Sequence, residues 1–234
     1  MKIGVFTDAH YCHSEILCYT RRPSLSLRKI REAMEDFCKN GVELCICLGD
    51  LTDHGAEDTK ESVAGCFFEA LELIRSYGIP FILVPGNHDY LMLNASELEA
   101  AGVQIPPYTV SFGGFRFIIL DGNYRSDGRR FDEAGVLWND SNLPESQCEF
   151  LKEALEESRE PAIVLIHENL DPTVEGQHIV KNAEEIRRII SGKAKMVLQG
   201  HYHRGSEWEH CNVPYITIPA MCEGEGNSYR IIEL

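Results

Sequence analysis

Several features of secreted and membrane-spanning proteins are missing from this 234-residue sequence. No apolar run approaches the roughly 18 residues of a membrane span, and the N-terminal segment reaches Asp8 before the apolar stretch of a signal peptide could form. No CxxC pair occurs, the nine cysteines are odd in number, and a chain of this length buries a core without disulfides. We therefore expect a reduced, cytoplasmic protein that makes no contact with a membrane.

Positive charge is also scarce. The sequence has 22 Lys and Arg residues against 37 Asp and Glu residues, which gives a formal net charge of −15. So negative a chain repels a nucleic-acid backbone and an anionic membrane surface, and we expect neither as a partner. It would also repel a phosphate substrate. The nine histidines and the many acidic residues therefore raise the question of whether some of them surround metal ions.

Internal repeats, low-complexity segments and linkers are absent as well, which predicts one domain over residues 1–234. Short apolar segments alternate with amphipathic segments of helical spacing, as in a sheet with crossover helices. Gly113 and Gly114 lie between two alternating segments and predict a β-hairpin. The predicted strands are 1–7, 42–48, 80–84, 108–112, 115–121, 162–166, 195–199, 215–218 and 229–234, and the predicted helices are 25–39, 59–77, 144–158 and 183–190. This order favours an α/β protein with mixed sheets.

Side chains able to bind metals follow five of the predicted strands. In open α/β sheets, ligands bind beyond the carboxyl ends of the strands, and these residues all lie there. Each motif alone also fits a surface turn, a helix cap or a buried histidine, so it is their joint occurrence that predicts a site. The residues are Asp8 and His10, Asp50 and Asp53, Asn87 and His88, His167, and His201 with His203.

The donor types indicate which ions such a site would take. Carboxylate oxygen, amide oxygen and imidazole nitrogen form a mixed set that suits Mn²⁺, Fe²⁺/³⁺ or Zn²⁺. A set made only of thiolates would have indicated structural zinc, whereas this set leaves coordination positions open for water and substrate. We therefore expect a catalytic rather than a structural metal site.

The motifs run in the order Asp8-x-His10, Gly49-Asp50-x-x-Asp53, Gly86-Asn87-His88-Asp89, His167 and Gly200-His201-x-His203. In this order they resemble the calcineurin-like metallophosphoesterase superfamily, and the resemblance extends from the first strand to Tyr229. It implies an α/β (mixed α+β) fold in which two mixed β-sheets pack as a sandwich flanked by helices, a four-layer α/β/β/α arrangement.

The resemblance also implies roles for individual residues. Asp50 would bridge two metal ions, and His88 would give a proton or a hydrogen bond to the leaving oxygen of the substrate. Asp53 would orient His88 and raise its pKa, although a helix-capping role for Asp53 is an equal alternative. The implied ligands are Asp8, His10 and His203 for one ion, and Asn87, His167 and His201 for the other.

The implied activity is hydrolysis of a small phosphoester by in-line attack of a metal-bridging hydroxide on phosphorus. The substrate would be a phosphodiester, a nucleotide diphosphate compound or a monoester. Alternatives are a nuclease, which the net charge disfavours, and a protein phosphatase, which is disfavoured because His54 stands where those enzymes carry arginine. A non-catalytic scaffold with the same fold is a further alternative, and it should lack some of the ligands.

Candidate substrate contacts are concentrated in one loop, 123–132. Its three arginines, Arg125, Arg129 and Arg130, could reach over the metals and hold a phosphate, or the loop could be solvated with scattered charges. Arg204 follows the last histidine motif and is a further candidate for contact with the phosphate.

Overall fold

Two β-sheets pack face to face between two layers of helices in the computed structural model, which describes residues 1–234. The ten strands are β1 Lys2–Phe6, β2 Leu44–Cys47, β3 Phe81–Leu83, β4 Tyr108–Phe112, β5 Phe115–Ile119, β6 Ala162–Leu165, β7 Ala194–Gln199, β8 Ser206–His210, β9 Val213–Thr217 and β10 Arg230–Glu233. The seven α-helices are α1 Ser26–Lys39, α2 Lys60–Arg75, α3 Asp89–Met92, α4 Ala95–Ala100, α5 Phe131–Ala134, α6 Glu145–Glu157 and α7 Ala183–Ile190.

Both sheets are mixed. The first sheet has the strand order β10-β1-β2-β3, in which β1, β2 and β3 are parallel and β10 is antiparallel to β1. The second has the order β4-β5-β6-β7-β9-β8, with a parallel centre and an antiparallel strand at each edge. The predicted fold class, two mixed sheets flanked by helices, is confirmed.

Side chains alternate between two cores along β1. Ile3 and Val5 point into an apolar layer shared by the two sheets, whereas Phe6 packs on the other face with residues of α1 and α2. Gly4 also faces α1, and a Cβ at this position would lie 2.6 Å from the ring of Phe37, so the close approach of helix and strand requires glycine. A third apolar cluster joins the second sheet to α6 and α7.

Most predicted elements are found within a few residues of their predicted ends. The predicted hairpin joins β4 to β5 through Gly113 and Gly114, which both have positive φ. Strand β8 was not predicted, because its sequence Ser-Glu-Trp-Glu-His carries the charges of a sheet edge and reads as a loop. The prediction of one domain over 1–234 stays a prediction. None of the helices has the length and apolar character needed to cross a bilayer.

The parallel strands bring their carboxyl ends to one edge of the sandwich. Hydrogen bonds between backbones continue past the strands there, from Asp8 N to Gly49 O and from His10 N to Asp50 O, each 2.9 Å long. The Gly200 N–H donates to His167 O at 2.9 Å in the same way on the second sheet. The loops that carry the predicted metal-binding residues are therefore fixed side by side.

Candidate metal centre and active site

The backbone is unusual at four of the predicted ligands. Asp8, His10, Asp50 and His201 have φ values of 51°, 49°, 51° and 63°. This left-handed region costs a residue with a Cβ about 1–2 kcal/mol. Such conformations persist where the surrounding structure enforces them, and they cluster at functional sites.

Glycine allows the loops after β2 and β3 to come together. Gly49 has φ of 101°, and a Cβ there would lie 2.5 Å from His167 Nδ1. A Cβ on Gly86 would collide with the carboxylate of Asp50. The glycines that flank the acidic and amide residues are therefore required by the close approach of the loops.

Asp8, His10 and His203 form the first group of converging donors. His203 Nε2 lies 3.4 Å from Asp8 Oδ1 and 3.2 Å from His10 Nε2. The Nδ1 atoms of the two histidines face carboxylates, His203 toward Glu223 Oε1 at 2.6 Å and His10 toward Asp53 Oδ2 at 3.1 Å. In the neutral form of each histidine these partners hold the proton on Nδ1, so that both Nε2 lone pairs would point into the group, as metal ligation requires.

Asp50, His167 and His201 form the second group, with ligand atoms within 4.8 Å of one another, and Asn87 lines the same cleft as Asp50 and His201. Asp50 Oδ1 accepts the His88 backbone N–H at 2.7 Å, which leaves Oδ2 facing His167 Nε2 at 3.4 Å and His10 Nε2 at 3.5 Å. His167 donates Nδ1–H to Leu48 O at 2.6 Å, so in its neutral form Nε2 carries the lone pair. Asp50 Oδ2 thus lies between the two groups.

Four of these donor atoms are buried and have no hydrogen-bond partner: Asp8 Oδ1, Asn87 Oδ1, His167 Nε2 and His201 Nε2. Buried polar atoms in folded proteins almost always have a partner. With the imidazoles neutral, all four atoms are electron-pair donors. The ligand atoms of His167 and His201 lie within 4.8 Å of each other and of an Asp50 carboxylate oxygen, which is an arrangement that a cation would satisfy. The residues present therefore fit metal ions, and the mixed oxygen and nitrogen donors fit first-row transition metals.

The electrostatics of the site also favour cations. Burial opposes ionisation of Asp8, yet the imidazoles of His10 and His203, whose Nε2 atoms lie 3.5 Å and 3.4 Å from Oδ1, hold its pKa well below the usual value. Burial opposes protonation of His167, but the charge of Asp50 raises its pKa well above 6.5. His201, by contrast, is held neutral because burial keeps its pKa well below 6.5. The carboxylates thus attract positive charge, and His201 is in the form that binds metals.

Asp53 lies at the centre of a hydrogen-bond network beside the first group. Its Oδ1 accepts from His88 Nδ1 at 2.7 Å, and its Oδ2 accepts from Arg21 NH1 at 2.9 Å. The helix that follows is capped by Thr59, so the alternative that Asp53 caps a helix is wrong. The bond to Asp53 pulls the pKa of His88 upward as expected, but burial outweighs it and the pKa lies below 6.5.

Asp89 joins two of the site loops and was assigned no role from the sequence. Its Oδ1 accepts the backbone N–H groups of Leu51 at 3.0 Å and Thr52 at 3.2 Å, and its Oδ2 accepts that of Gly86 at 2.9 Å. The carboxylate therefore fixes the loop after β2 against the loop after β3. Its position beside Asn87 and His88 in the motif was the only signal for it.

The donors lie at the bottom of a cleft of about 500 Å³. Its lining residues are Cys18, Thr20, Arg21, Asp50, Asn87, His88, Trp138, His178, His201, His203, Arg204 and Glu223. A groove of about 580 Å³ elsewhere, along the β3 and β4 edges, has no histidine or carboxylate in its lining. The chemistry, and not the size of the cavity, therefore locates the candidate site.

The predicted arginine contacts separate into two groups. Arg204 lines the cleft, is 80% exposed and lies 3.7 Å from Glu175 Oε1. Arg129 pairs with Asp127, and the other two arginines of its loop are also held by local partners. These are the Gly135 carbonyl for Arg125 and Asp132 for Arg130. None of the three lines the cleft, so their substrate role stays a prediction.

Buried carboxylate, amide and imidazole donors at one edge of a two-sheet sandwich define a class of metal-dependent hydrolases. The model of the calcineurin-like phosphoesterase family matches residues 1–205, and the chain belongs to this family. This match confirms two predictions, the superfamily and the enzyme class, a phosphoester hydrolase.

Two curated proteins are similar to this chain in sequence, and one solved structure is similar to it in fold. The chain is 23% identical over 235 residues to the 3′,5′-cyclic adenosine monophosphate phosphodiesterase CpdA of Haemophilus influenzae, covering 95% of this chain and 77% of that protein. It is 33% identical over 82 residues to the UDP-2,3-diacylglucosamine hydrolase of Xanthomonas campestris, covering 33% of each. A dimetal phosphatase from Danio rerio, 16% identical, shares the fold with a TM-score of 0.84 over 100% of this chain and 92% of that one.

Proposed function

We propose that the chain is a dinuclear-metal hydrolase of a small phosphoester. The observation that carries this proposal is the set of donors around Asp50. Its Oδ2 lies 3.5 Å from His10 Nε2 and 3.4 Å from His167 Nε2, and four buried donor atoms of the predicted ligands have no hydrogen-bond partner. Asp50 would bridge the two ions, which we propose to be manganese, iron or zinc. The remaining ligands would be Asp8, His10 and His203 for one ion, and Asn87, His167 and His201 for the other.

When bound, the two ions would supply an activated water and positive charge for the phosphoryl oxygens. The chain would supply the geometry, because its donors are fixed by partners outside the two groups. Glu223 and the Leu48 carbonyl orient His203 and His167, and Thr7 Oγ1 donates to Asp8 Oδ2 at 2.6 Å. Partners of this kind raise metal affinity by fixing the tautomer and direction of each ligand.

His88 is proposed as the proton donor to the leaving oxygen. Its side chain is 20% exposed and lines the cleft, and Nδ1 is held by Asp53 Oδ1. In the imidazolium form, Nδ1–H donates its hydrogen bond to Asp53, and Nε2–H remains free to donate to the substrate. An imidazolium fixed in this way can give its proton to a leaving alkoxide, which is general acid catalysis. Asp53 would act as a positioning residue.

Arg21 is proposed to hold a phosphoryl oxygen. Of its guanidinium nitrogens only NH1 has polar contacts within the chain, a hydrogen bond to Asp53 Oδ2 at 2.9 Å and a contact with His10 Nδ1 at 3.4 Å. The side chain lines the cleft and is 17% exposed. Its other guanidinium N–H groups are available for a planar contact with phosphate. Protein phosphatases of the superfamily carry an arginine at the position of His54. Arg21, from another loop, would supply the guanidinium group in its place.

The substrate is proposed to be a phosphodiester or a nucleotide compound, with monoesters as the alternative. Two of the relatives are a cyclic-nucleotide phosphodiesterase and a hydrolase of a UDP-linked sugar, which supports this range. The charge of −15 still disfavours a long nucleic acid, and a scaffold without activity is disfavoured because none of the expected ligands is missing. Nine free cysteines support the proposal of a reducing, cytoplasmic setting.

The test is turnover of bis-p-nitrophenyl phosphate and p-nitrophenyl phosphate after removal of metals and reloading with Mn²⁺, Zn²⁺, Co²⁺ or Ni²⁺. We expect no activity without metal and restored hydrolysis of at least one substrate after reloading. Protein that binds both ions and hydrolyses neither substrate would contradict the proposed function and favour the scaffold.

A further inference from the structure

We propose that Trp138, packed on His178, is a stacking wall for a nucleobase, so that the substrate of the site is a nucleotide ester. This inference rests on the proposed function for the reaction, but the binding of the base is a separate property. Trp138 lines the cleft beside His201, one of the candidate metal ligands.

Trp138 is the one large apolar side chain that lines the cleft, and it is 39% exposed. Its ring centroid lies 5.3 Å from that of His178 and 6.1 Å from that of His201. His178 in turn lies 5.2 Å from His201 and 5.3 Å from Tyr202. A planar group attached close to a phosphate at His201 would therefore meet the indole.

The loop that carries Trp138 is braced from behind. Asp140 N–H donates to Leu137 O at 2.7 Å and closes a turn around the tryptophan, and Ser126 N–H donates to the Asp140 carboxylate at 3.3 Å. Arg125 Nε donates to Gly135 O at 3.1 Å. The loop 123–132 thus braces the backbone on both sides of Trp138, and the indole itself packs against His178.

The lining of the cleft distinguishes a nucleobase from an acyl chain. Apart from Trp138 and Cys18, the lining residues are polar or charged. An acyl chain would need a continuous apolar lining, which this cleft does not have. A nucleotide needs one aromatic surface for the base and polar groups elsewhere. Stacking on an aromatic side chain changes affinity by about 5- to 150-fold per base.

Tryptophan fluorescence tests the wall without catalysis, because the chain has only two tryptophans. Trp208 stacks on His210 in β8 and does not line the cleft. In the metal-loaded Trp208→Phe protein, only Trp138 reports. We expect AMP to quench this emission and ribose 5-phosphate, which lacks the base, to leave it unchanged. In the Trp138→Phe protein, AMP should leave the Trp208 signal unchanged.

Hydrolysis provides the second measurement. Trp138→Ala should raise KM for a nucleotide ester by about 5- to 150-fold and leave KM for an alkyl phosphoester unchanged, while Trp138→Phe should restore part of the loss. Leu137→Ala, which removes a neighbouring side chain that is 43% exposed and outside the cleft, is the matched control.

The outcomes distinguish the stacking of a base on Trp138 from the proposed hydrolysis reaction. If AMP and ribose 5-phosphate act alike on Trp138 fluorescence, or if Trp138→Ala raises KM equally for both esters, the stacking wall is overturned while the hydrolase stands. If AMP quenches Trp138 but no phosphoester is hydrolysed, the wall stands and the proposed reaction is wrong.

Discussion

The two sheets contribute different chemistry to the same cleft. The loops of the first sheet bring the charged oxygen donors Asp8 and Asp50, together with His88 and its partner Asp53. Those of the second sheet bring only imidazole donors, and the stacked Trp138 lies beside one of them, His201. On the proposed roles, the first sheet would govern charge and proton transfer, whereas the second would complete the metal sites and contact the rest of the substrate.

The largest expected effect is that of Asp50→Asn. If the amide oxygen keeps the His88 N–H, the amide NH₂ points at the Nε2 atoms of His10 and His167 and cannot bridge two cations. We expect activity to fall to the level of the metal-free protein and both ions to be depleted, measured by kcat and by elemental analysis after gel filtration.

His201→Ala is the matched variant from the second sheet. It removes a ligand of one proposed ion only, so about half of the bound metal should remain. The contrast between the sheets fails if His201→Ala depletes both ions as fully as Asp50→Asn does.

A smaller loss is expected for His88→Ala. General acid catalysis contributes about 10²- to 10⁴-fold, so kcat on an alkyl ester should fall by that factor. On a p-nitrophenyl ester the loss should be much smaller, because this leaving group departs without a proton. Metal content should be unchanged. His54→Ala is the control, since His54 lies 3.6 Å from the same Asp53 oxygen and is 38% exposed. Equal losses on both esters would contradict the role of His88.

The smallest expected effects are changes in KM on substitution of Arg21 and of Arg129, which lie in two different loops. Arg21→Ala should raise KM by about tenfold or more, because hydrogen bonds between charged groups contribute about 1.5–3 kcal/mol, and Arg21→Lys should restore only part of it. Arg129→Ala should leave KM unchanged, since Arg129 is exposed and paired with Asp127. A larger effect at Arg129 than at Arg21 would restore the substrate role that the sequence assigned to the 123–132 loop.

The sequence predicted the parts of the molecule whose position follows from local pattern. Apolar runs and helical spacing locate the strands and helices, and the residues after β1, β2, β3, β6 and β7 meet because parallel strands share one edge. Strand β8 was missed because an edge strand with charged side chains lacks that pattern.

Residues whose position depends on the path of a loop were not predicted. Arg21 reaches Asp53 because its loop is pinned to the C-terminal segment, where Arg22 N–H donates to Cys222 O at 2.8 Å. Trp138 reaches His201 through a loop braced by Ser126. Such tertiary contacts leave no periodicity or spacing in the sequence. The candidate substrate contacts, Arg125 and its neighbours, were therefore chosen on their charge alone.

The most direct test of the dinuclear site is the ratio of metal to protein in the wild-type chain, reloaded with one metal at a time and freed of excess by gel filtration. We predict two ions per chain, because two groups of buried donors flank Asp50 Oδ2. A ratio that saturates at one, or a chain that retains no ion with any of manganese, iron or zinc, would contradict this account.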